Sequence, residues 1–305
     1  MTAAPVVAVL GIGLMGGPMA ARLAAAGLTL RLWNRTRAKA EAIAGPDVTV
    51  CETPAEAVAA ADVAIVMLEN GPVVERVLFE GGAAAAMRPG SVLVDMSSIP
   101  PAMARRHAAA LAAGGVAHVD APVSGGTVGA REGTLAIMAG GDAVAIERVR
   151  PVLERIGRVT RVGPHGAGQL AKLANQAIVA VTIGAVSEAL LLAAAGGADP
   201  AAVRQAIRGG FAESRILDLH GRRMIERDFA PGGPVHIQVK DLDTILVAAA
   251  EQGLTLPLVA DVRERFVELR DDLGGAMLDH SALLLQLEAK NPPHKVSAPP
   301  AAGTA

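Results

Sequence analysis

Glycines near the N-terminus offer the first chemistry. Gly11-Ile12-Gly13-Leu14-Met15-Gly16 closes the apolar run Val6–Leu10 and opens a helical pattern. The G-x-G-x-x-G spacing makes a specific demand on the backbone. Gly11 permits a tight turn, and Gly13 lets the main chain approach a pyrophosphate. Gly16 lets a helix lie close to its strand with its N-terminus toward the phosphates. Glycine-rich loops also serve as ordinary turns. This one follows the first strand-like run inside a strand–helix–strand unit, which points to a dinucleotide held by residues 11–16.

The end of the second strand-like run bears on which dinucleotide. An acid about 20 residues beyond the glycines normally holds the ribose 2′-hydroxyl of NAD. Asn34 stands there instead, followed by Arg35 and Thr36, with Lys39 nearby. A carboxylate repels a 2′-phosphate, whereas a guanidinium and a hydroxyl bind one. The expected cofactor is NADP(H) in preference to NAD(H), with NAD(H) as the alternative. The competing reading leaves Arg35 as a solvated loop residue.

Lysine is scarce. Of 28 basic residues only Lys39, Lys172, Lys240, Lys290 and Lys295 are lysines. Lys172 opens an apolar helical stretch and shares a face with Asn175 and Gln176, at i+3 and i+4. An ammonium beside an amide in apolar surroundings can protonate a developing alkoxide. A helix-start lysine reaching toward solvent fits the same spacing. Asp120-Ala-Pro122-Val-Ser124-Gly125-Gly126 follows another strand-like run. Backbone N–H groups next to a serine hydroxyl make a cradle for a substrate carboxylate; the plainer reading is a strand-to-helix turn. Pro122 excludes a nucleophile elbow. No acid is placed in sequence to make a triad with His118 or His165, and the seven histidines show no metal-ligand spacing. No metal is expected, and His220, His236 and His280 read as surface or satisfied residues.

The elements that must position these groups change character along the chain. Apolar runs at Val6–Leu10, Thr29–Trp33, Val48–Val50, Val63–Met67, Val92–Val94, Val116–Val119, Thr134–Met138 and Val159–Val162 alternate with helical patterns. That alternation predicts α/β architecture: a parallel sheet with helices on both faces, here a Rossmann-type dinucleotide-binding domain. After Gly166 the strand signal stops and long helical patterns follow, which predicts an all-α C-terminal domain. The expected division is 1–164 for cofactor binding and 165–290 for substrate and self-association, joined by a long helix. The Pro/Ala-rich tail 291–305 is expected to be disordered.

Composition excludes several classes. Aromatics are 2% of the chain with no Tyr, and net charge is −2, so neither base stacking nor a basic field serves nucleic acid. Cys51 is the single cysteine, which excludes an internal disulfide and suits a reducing, cytoplasmic setting. The N-terminus lacks a basic segment before its apolar run and reads as a strand. Ala177–Ala195 is long enough to span a membrane, but its Ala and Gly content and Glu188 predict a buried helix, so no membrane association is expected.

Taken in order, these motifs match a family. Gly11-Ile-Gly13-Leu-Met15-Gly16-Gly-Pro18-Met19-Ala20, Asp95-Met-Ser97-Ser98, Asp120 to Gly126, Gly166-Ala-Gly168-Gln-Leu-Ala-Lys172-Leu-Ala-Asn175-Gln176 and Lys240-Asp241-Leu242 resemble the motifs of the β-hydroxyacid dehydrogenases over residues 5–290. The resemblance implies that Lys172 is the general acid/base and that Asn175 orients the substrate hydroxyl or the lysine. Ser124, Gly125 and Gly126 would hold the substrate carboxylate, and Ser97 or Ser98 would lie by the nicotinamide ribose. Lys240 would approach cofactor and substrate. Met67 and Leu68 would contact the cofactor in a loop where the family often has Pro and this chain reads Met67-Leu68-Glu69-Asn70. A homodimer or homotetramer is implied. The segments Gly129–Leu135, Ala185–Leu190, Gly209–Leu217 and Asp279–Leu283 resemble the branch that reduces the three-carbon tartronate semialdehyde to glycerate. The rival readings are oxidation of 3-hydroxyisobutyrate or another β-hydroxyacid, and a non-catalytic NADP-binding subunit. The last could dispense with Lys172.

Overall fold

The computed structural model describes residues 4–43 and 45–296. Among them, nine strands form one sheet: β1 (Val7–Leu10), β2 (Leu30–Trp33), β3 (Val48–Val50), β4 (Val63–Val66), β5 (Val92–Asp95), β6 (Ala117–Asp120), β7 (Val123–Ser124), β8 (Leu135–Gly141) and β9 (Gly157–Gly163). The order is β3-β2-β1-β4-β5-β6-β8-β7, with β9 paired to β8. The six strands β1 to β6 run parallel, β8 turns antiparallel to β6 and β7, and β9 is parallel to β8. The order reverses between β1 and β4, and in open α/β sheets ligands bind beyond the carboxyl ends of strands at such a point.

The central strands β1 and β4 are apolar at every position, and β5 is apolar up to Asp95, because both faces are covered. Val7, Val9, Ile65 and Val94 face one core cluster, while Ala8, Leu10, Val66 and Leu93 face a second. The helices Gly16–Ala25, Arg37–Glu41, Pro54–Ala59, Pro101–Ala112 and Ala143–Leu153 fall within the helical patterns that the sequence predicts at Gly16–Ala26, Arg37–Ala44, Pro54–Ala60, Pro101–Ala113 and Ala143–Arg155. The expected extension of the second to Ala44 lies outside the described residues. Short helices at Gly71–Glu75, Arg76–Glu80, Ala83–Ala86 and Gly126–Glu132 were not among the expected elements. Asn70 starts the first of these: its Oδ1 accepts the N–H of Val73 at 3.0 Å, and Pro72 follows as a favourable early helix residue.

The chain divides into two units at Lys172/Leu173, inside the helix Ala167–Ala195 rather than before it. The second unit is helical, with Pro200–Ala206, Arg215–Glu226, Val235–Ala250, Pro257–Asp271 and Leu283–Lys290. Its core gathers Ala180, Ile183, Leu190, Met224, Leu242, Phe266 and Leu284. The long helix is apolar enough to cross a membrane by composition, yet one of its stripes belongs to this core. Ile178 and Leu192 on the same helix stay exposed, so it is less buried than its sequence suggests. The expected disorder of the tail does not begin at 291. Val296 is buried, and its N–H donates to Glu288 Oε1 at 2.8 Å, so residues 291–296 fold back. Residues 297–305 lie outside the described residues.

Candidate active site

At the first turn, Gly11 has φ +103°, and a Cβ there would collide with the Met67 carbonyl; a Cβ on Gly16 would collide with the Gly11 carbonyl. These two glycines let the helix Gly16–Ala25 lie against β1 and β4. Gly13 differs: it is exposed, and a Cβ would meet nothing within 4 Å. The helix start has no side-chain cap and no acid in its first turn. Open space over Gly13 and an uncapped helix N-terminus suit a pyrophosphate.

Asn34, at the position of the usual acid, is held by two backbone contacts. Its Oδ1 accepts the Ile12 N–H at 2.9 Å and its Nδ2 donates to the Thr36 carbonyl at 2.9 Å. The Oδ1 bond ties the end of β2 to the glycine turn, and the Nδ2 bond closes the loop that follows β2. Among the described residues, Arg35 makes neither a hydrogen bond nor an ion pair and is exposed, as is Thr36. Arg37, by contrast, is engaged with Glu41 and Glu52.

Beyond β4, Met67 and Leu68 are half-buried. The Leu68 N–H donates to Ser97 Oγ at 3.0 Å, and the Ser97 N–H donates to Asp95 Oδ1 at 2.9 Å. Ser97 is fully buried, so it shapes the loop from beneath, and Ser98 is the half-exposed serine of the pair. Burial pushes the Asp95 carboxyl up to about 7, against the opposing hydrogen bonds from Ser97.

The start of the lysine helix is fixed from β6. Asp120 accepts the N–H groups of Gly166 at 2.8 Å and Gln169 at 3.0 Å, satisfying donors that a helix start leaves unpaired. Burial raises the Asp120 pKa despite these bonds. Gly168 is required because a Cβ would strike the Asp120 carbonyl. Gln169, itself fully buried, donates to the Ser97 carbonyl at 2.8 Å and accepts the Ile99 N–H at 3.1 Å. One turn on, Lys172 Nζ donates to the Val123 carbonyl at 2.9 Å. Val123 directly precedes Ser124, Gly125 and Gly126. Gly125 and Gly126 have φ +139° and +62°, a backbone region costly for other residues. Ser124 is half-exposed and Gly126 exposed. The first unit therefore carries an ammonium beside a polar turn that glycine conformations build.

In the helical unit, Asn175 Nδ2 donates to Gln176 Oε1 at 2.9 Å and Gln176 Nε2 donates to Asp241 Oδ2 at 2.6 Å. Asp241 Oδ1 lies 3.0 Å from Lys240 Nζ. Buried Asp241 thus organises both expected groups. Asp120, Gln169 and Asp241 were assigned no role from sequence; each stood within a recognised motif, but nothing in its spacing showed its partners.

Comparison with known proteins bears on this arrangement. Residues 6–164 match the model of the NAD-binding domain of 6-phosphogluconate dehydrogenase, and residues 166–287 match the model of the NAD-binding region of NADP-dependent 3-hydroxyisobutyrate dehydrogenase. The Escherichia coli (strain K12) 2-hydroxy-3-oxopropionate reductase is 47% identical over 92% of this chain and 96% of its own. The chain belongs to the β-hydroxyacid dehydrogenase family. Among solved relatives of this dehydrogenase is the Mycobacterium tuberculosis 3-hydroxyisobutyrate dehydrogenase with L-serine, at TM-score 0.85 and 35% identity over 93% of this chain and 99% of that one. The Salmonella typhimurium 3-hydroxyisobutyrate dehydrogenase superposes with TM-score 0.83 at 29% identity, over 92% and 99%. The β-hydroxyacid dehydrogenase described here is therefore an oxidoreductase that uses a nicotinamide cofactor.

Proposed function

We propose that the enzyme reduces tartronate semialdehyde (2-hydroxy-3-oxopropionate) to glycerate, with NADPH preferred over NADH. The observation that carries the chemistry is the Lys172 ammonium held at the Val123 carbonyl, next to Ser124. The substrate class follows the Escherichia coli relative, 47% identical over nearly the whole chain. Gly11 to Gly16 hold the pyrophosphate, with Arg35 and Thr36 on the 2′-phosphate and Met67 and Leu68 beside the nicotinamide. When bound, the nicotinamide supplies the hydride to the aldehyde carbon.

The chain's own residues do the rest. Ser124, Gly125 and Gly126 bind the carboxylate and so orient the aldehyde. Lys172 gives a proton from Nζ to the carbonyl oxygen as negative charge develops there. The Val123 carbonyl accepts from Nζ and limits where that proton lies. Asp120 and Gln169 act as positioning residues by fixing the first turn of the lysine helix. Asn175 orients the substrate hydroxyl or the lysine, and Lys240 contributes a second cation in the family's manner. The assigned domains are 1–164 for cofactor and 165–290 for substrate and association into dimers or tetramers, and the setting is the cytoplasm.

A second reading, oxidation of a β-hydroxyacid such as 3-hydroxyisobutyrate, draws support from the Mycobacterium tuberculosis relative solved with L-serine, which is itself a β-hydroxyacid. Steady-state rates with tartronate semialdehyde, methylmalonate semialdehyde, succinic semialdehyde and glyoxylate, each with NADPH and NADH, separate the two. The proposal expects the highest kcat/KM for tartronate semialdehyde with NADPH. A higher value for methylmalonate semialdehyde establishes the second reading instead.

A further inference from the structure

His118 on β6 is 2% exposed, and neither of its ring nitrogens has a hydrogen-bond partner among the described residues. Polar atoms buried this way are rare in native proteins, and each calls for a partner such as water or an ion. Asp120 lies two residues along the strand, so its side chain leaves the same face. His165, in the turn before the lysine helix, has a buried and unpartnered Nδ1. Its ring centroid stands 5.9 Å from that of His118. One ligand atom from each of the three residues lies within 4.8 Å of the others. Bonds of about 2.0–2.2 Å to a shared ion would draw these atoms together by a modest side-chain rotation. The sequence reading expected no metal because the three residues follow no ligand motif; the fold brings them together.

We propose that His118, Asp120 and His165 form a site for a divalent transition-metal ion of the zinc type. Two imidazoles and one carboxylate are the donor set such ions take. Asp120 keeps its bonds from Gly166 and Gln169 while offering remaining lone pairs, as ligating carboxylates commonly do. Half-buried His165 gives the ion a way in. Because Asp120 and His165 flank the start of the helix that carries Lys172, the ion would clip that helix to β6. His107, with its ring 6.5 Å from His118, is directed to Glu75 at 3.6 Å and is not part of the set. In the other trio of this kind among the described residues, His220, Asp279 and His280, the two imidazoles engage each other and Gln238, and only His220 Nδ1 lacks a hydrogen bond. His280 Nδ1 is 3.1 Å from Gln238 Oε1, the two Nε2 atoms are 3.2 Å apart, and His220 Nδ1 is 3.5 Å from Asp279.

The test uses the full chain, stripped with chelator and titrated with Zn²⁺, reading metal retained after desalting and Tm. Co²⁺ then reports coordination through its visible spectrum. The expected result is about one ion per chain, a rise in Tm and a Co²⁺ spectrum with imidazole ligands. His118→Gln should lose all three, while His280→Gln keeps them. Should His118→Gln fail to fold, His165→Gln at the half-buried position takes its place. Absence of uptake by the wild type would mean that water alone fills the site and would overturn the proposal. Uptake that survives His118→Gln or His165→Gln, or that disappears in His280→Gln, would overturn it equally.

Discussion

Lys172 donates from Nζ to the main-chain carbonyl of Val123 at 2.9 Å, and Val123 is the residue before Ser124. The bond spans two elements whose sequence separation hides it. It ties the proposed proton donor to the proposed carboxylate cradle. Lys172→Ala should lower kcat by about 10²–10⁴, while NADPH binding, followed by its fluorescence, stays near wild type. Turnover retained in the variant would move the acid to another residue.

Arg35 stands exposed beside Thr36 with no partner among the described residues, so its guanidinium is available to a 2′-phosphate. Arg35→Ala should reduce kcat/KM with NADPH roughly 10-fold or more, the scale of a lost charged hydrogen bond, and leave NADH nearly unchanged. Asn34→Ala should instead weaken both cofactors alike, because Asn34 braces the Ile12 N–H. Equal losses for both cofactors in Arg35→Ala would remove its phosphate role.

The cradle predicts a distinction between substrates. Ser124→Ala should raise KM for tartronate semialdehyde several-fold, on the order of one hydrogen bond to a charged group. Plain aldehydes without a carboxylate should be poor substrates and indifferent to the change. Gly125→Ala should be more damaging, since φ is +139° there and its Cβ would press on Leu135 at 3.1 Å. A neutral aldehyde as good as the semialdehyde would refute the cradle.

Asp95 makes stability depend on pH. Its carboxyl is pushed from 3.8 to about 7 by burial, so between those values the folded chain holds a proton that the unfolded chain has lost. Stability should therefore fall as pH rises from about 4 to about 7 and level off above. Asp95→Asn keeps an acceptor for the Ser97 N–H and removes the charge. At pH 8 urea unfolding should show it more stable than wild type by on the order of 1–4 kcal/mol, with the gap closing toward pH 4. A gap independent of pH would exclude burial of charge as its cause.

Gln169 tests positioning. Gln169→Leu leaves the Ser97 carbonyl and the Ile99 N–H without their buried partner, costing about 1–3 kcal/mol for each. It should lower kcat more than it raises KM, because it loosens the turn before Lys172 and leaves the cradle intact. A change in KM alone would assign Gln169 to substrate binding.

The strand runs and long helices were legible because their signals are local and periodic. β1, β4 and β5 appear as apolar runs since both faces of the sheet are covered there, and the helices after Gly166 carry their own pattern. The glycine turn was legible for a related reason: the backbone conformations and close approaches it needs are properties of those residues themselves. The short helices Gly71–Glu75 and Gly126–Glu132 were missed because a turn or two gives too few residues to establish a period. The two-residue strand β7 exists only through its pairing with β8.

The sequence by itself determined the α/β-then-helical order, the phosphate loop and the motif set that defines the family. Tertiary structure alone decided what the polar side chains face. Asn34 turned inward to Ile12, Ser97 went beneath the loop, and Val296 folded back onto Glu288. Asp120 became the brace of the lysine helix, and His118 met His165 across 47 residues of chain. Local patterns record which face of an element is buried. They do not record which distant polar atom satisfies a buried donor or acceptor, because that partner is chosen by packing and hydrogen-bond geometry once the sheet and helices have assembled.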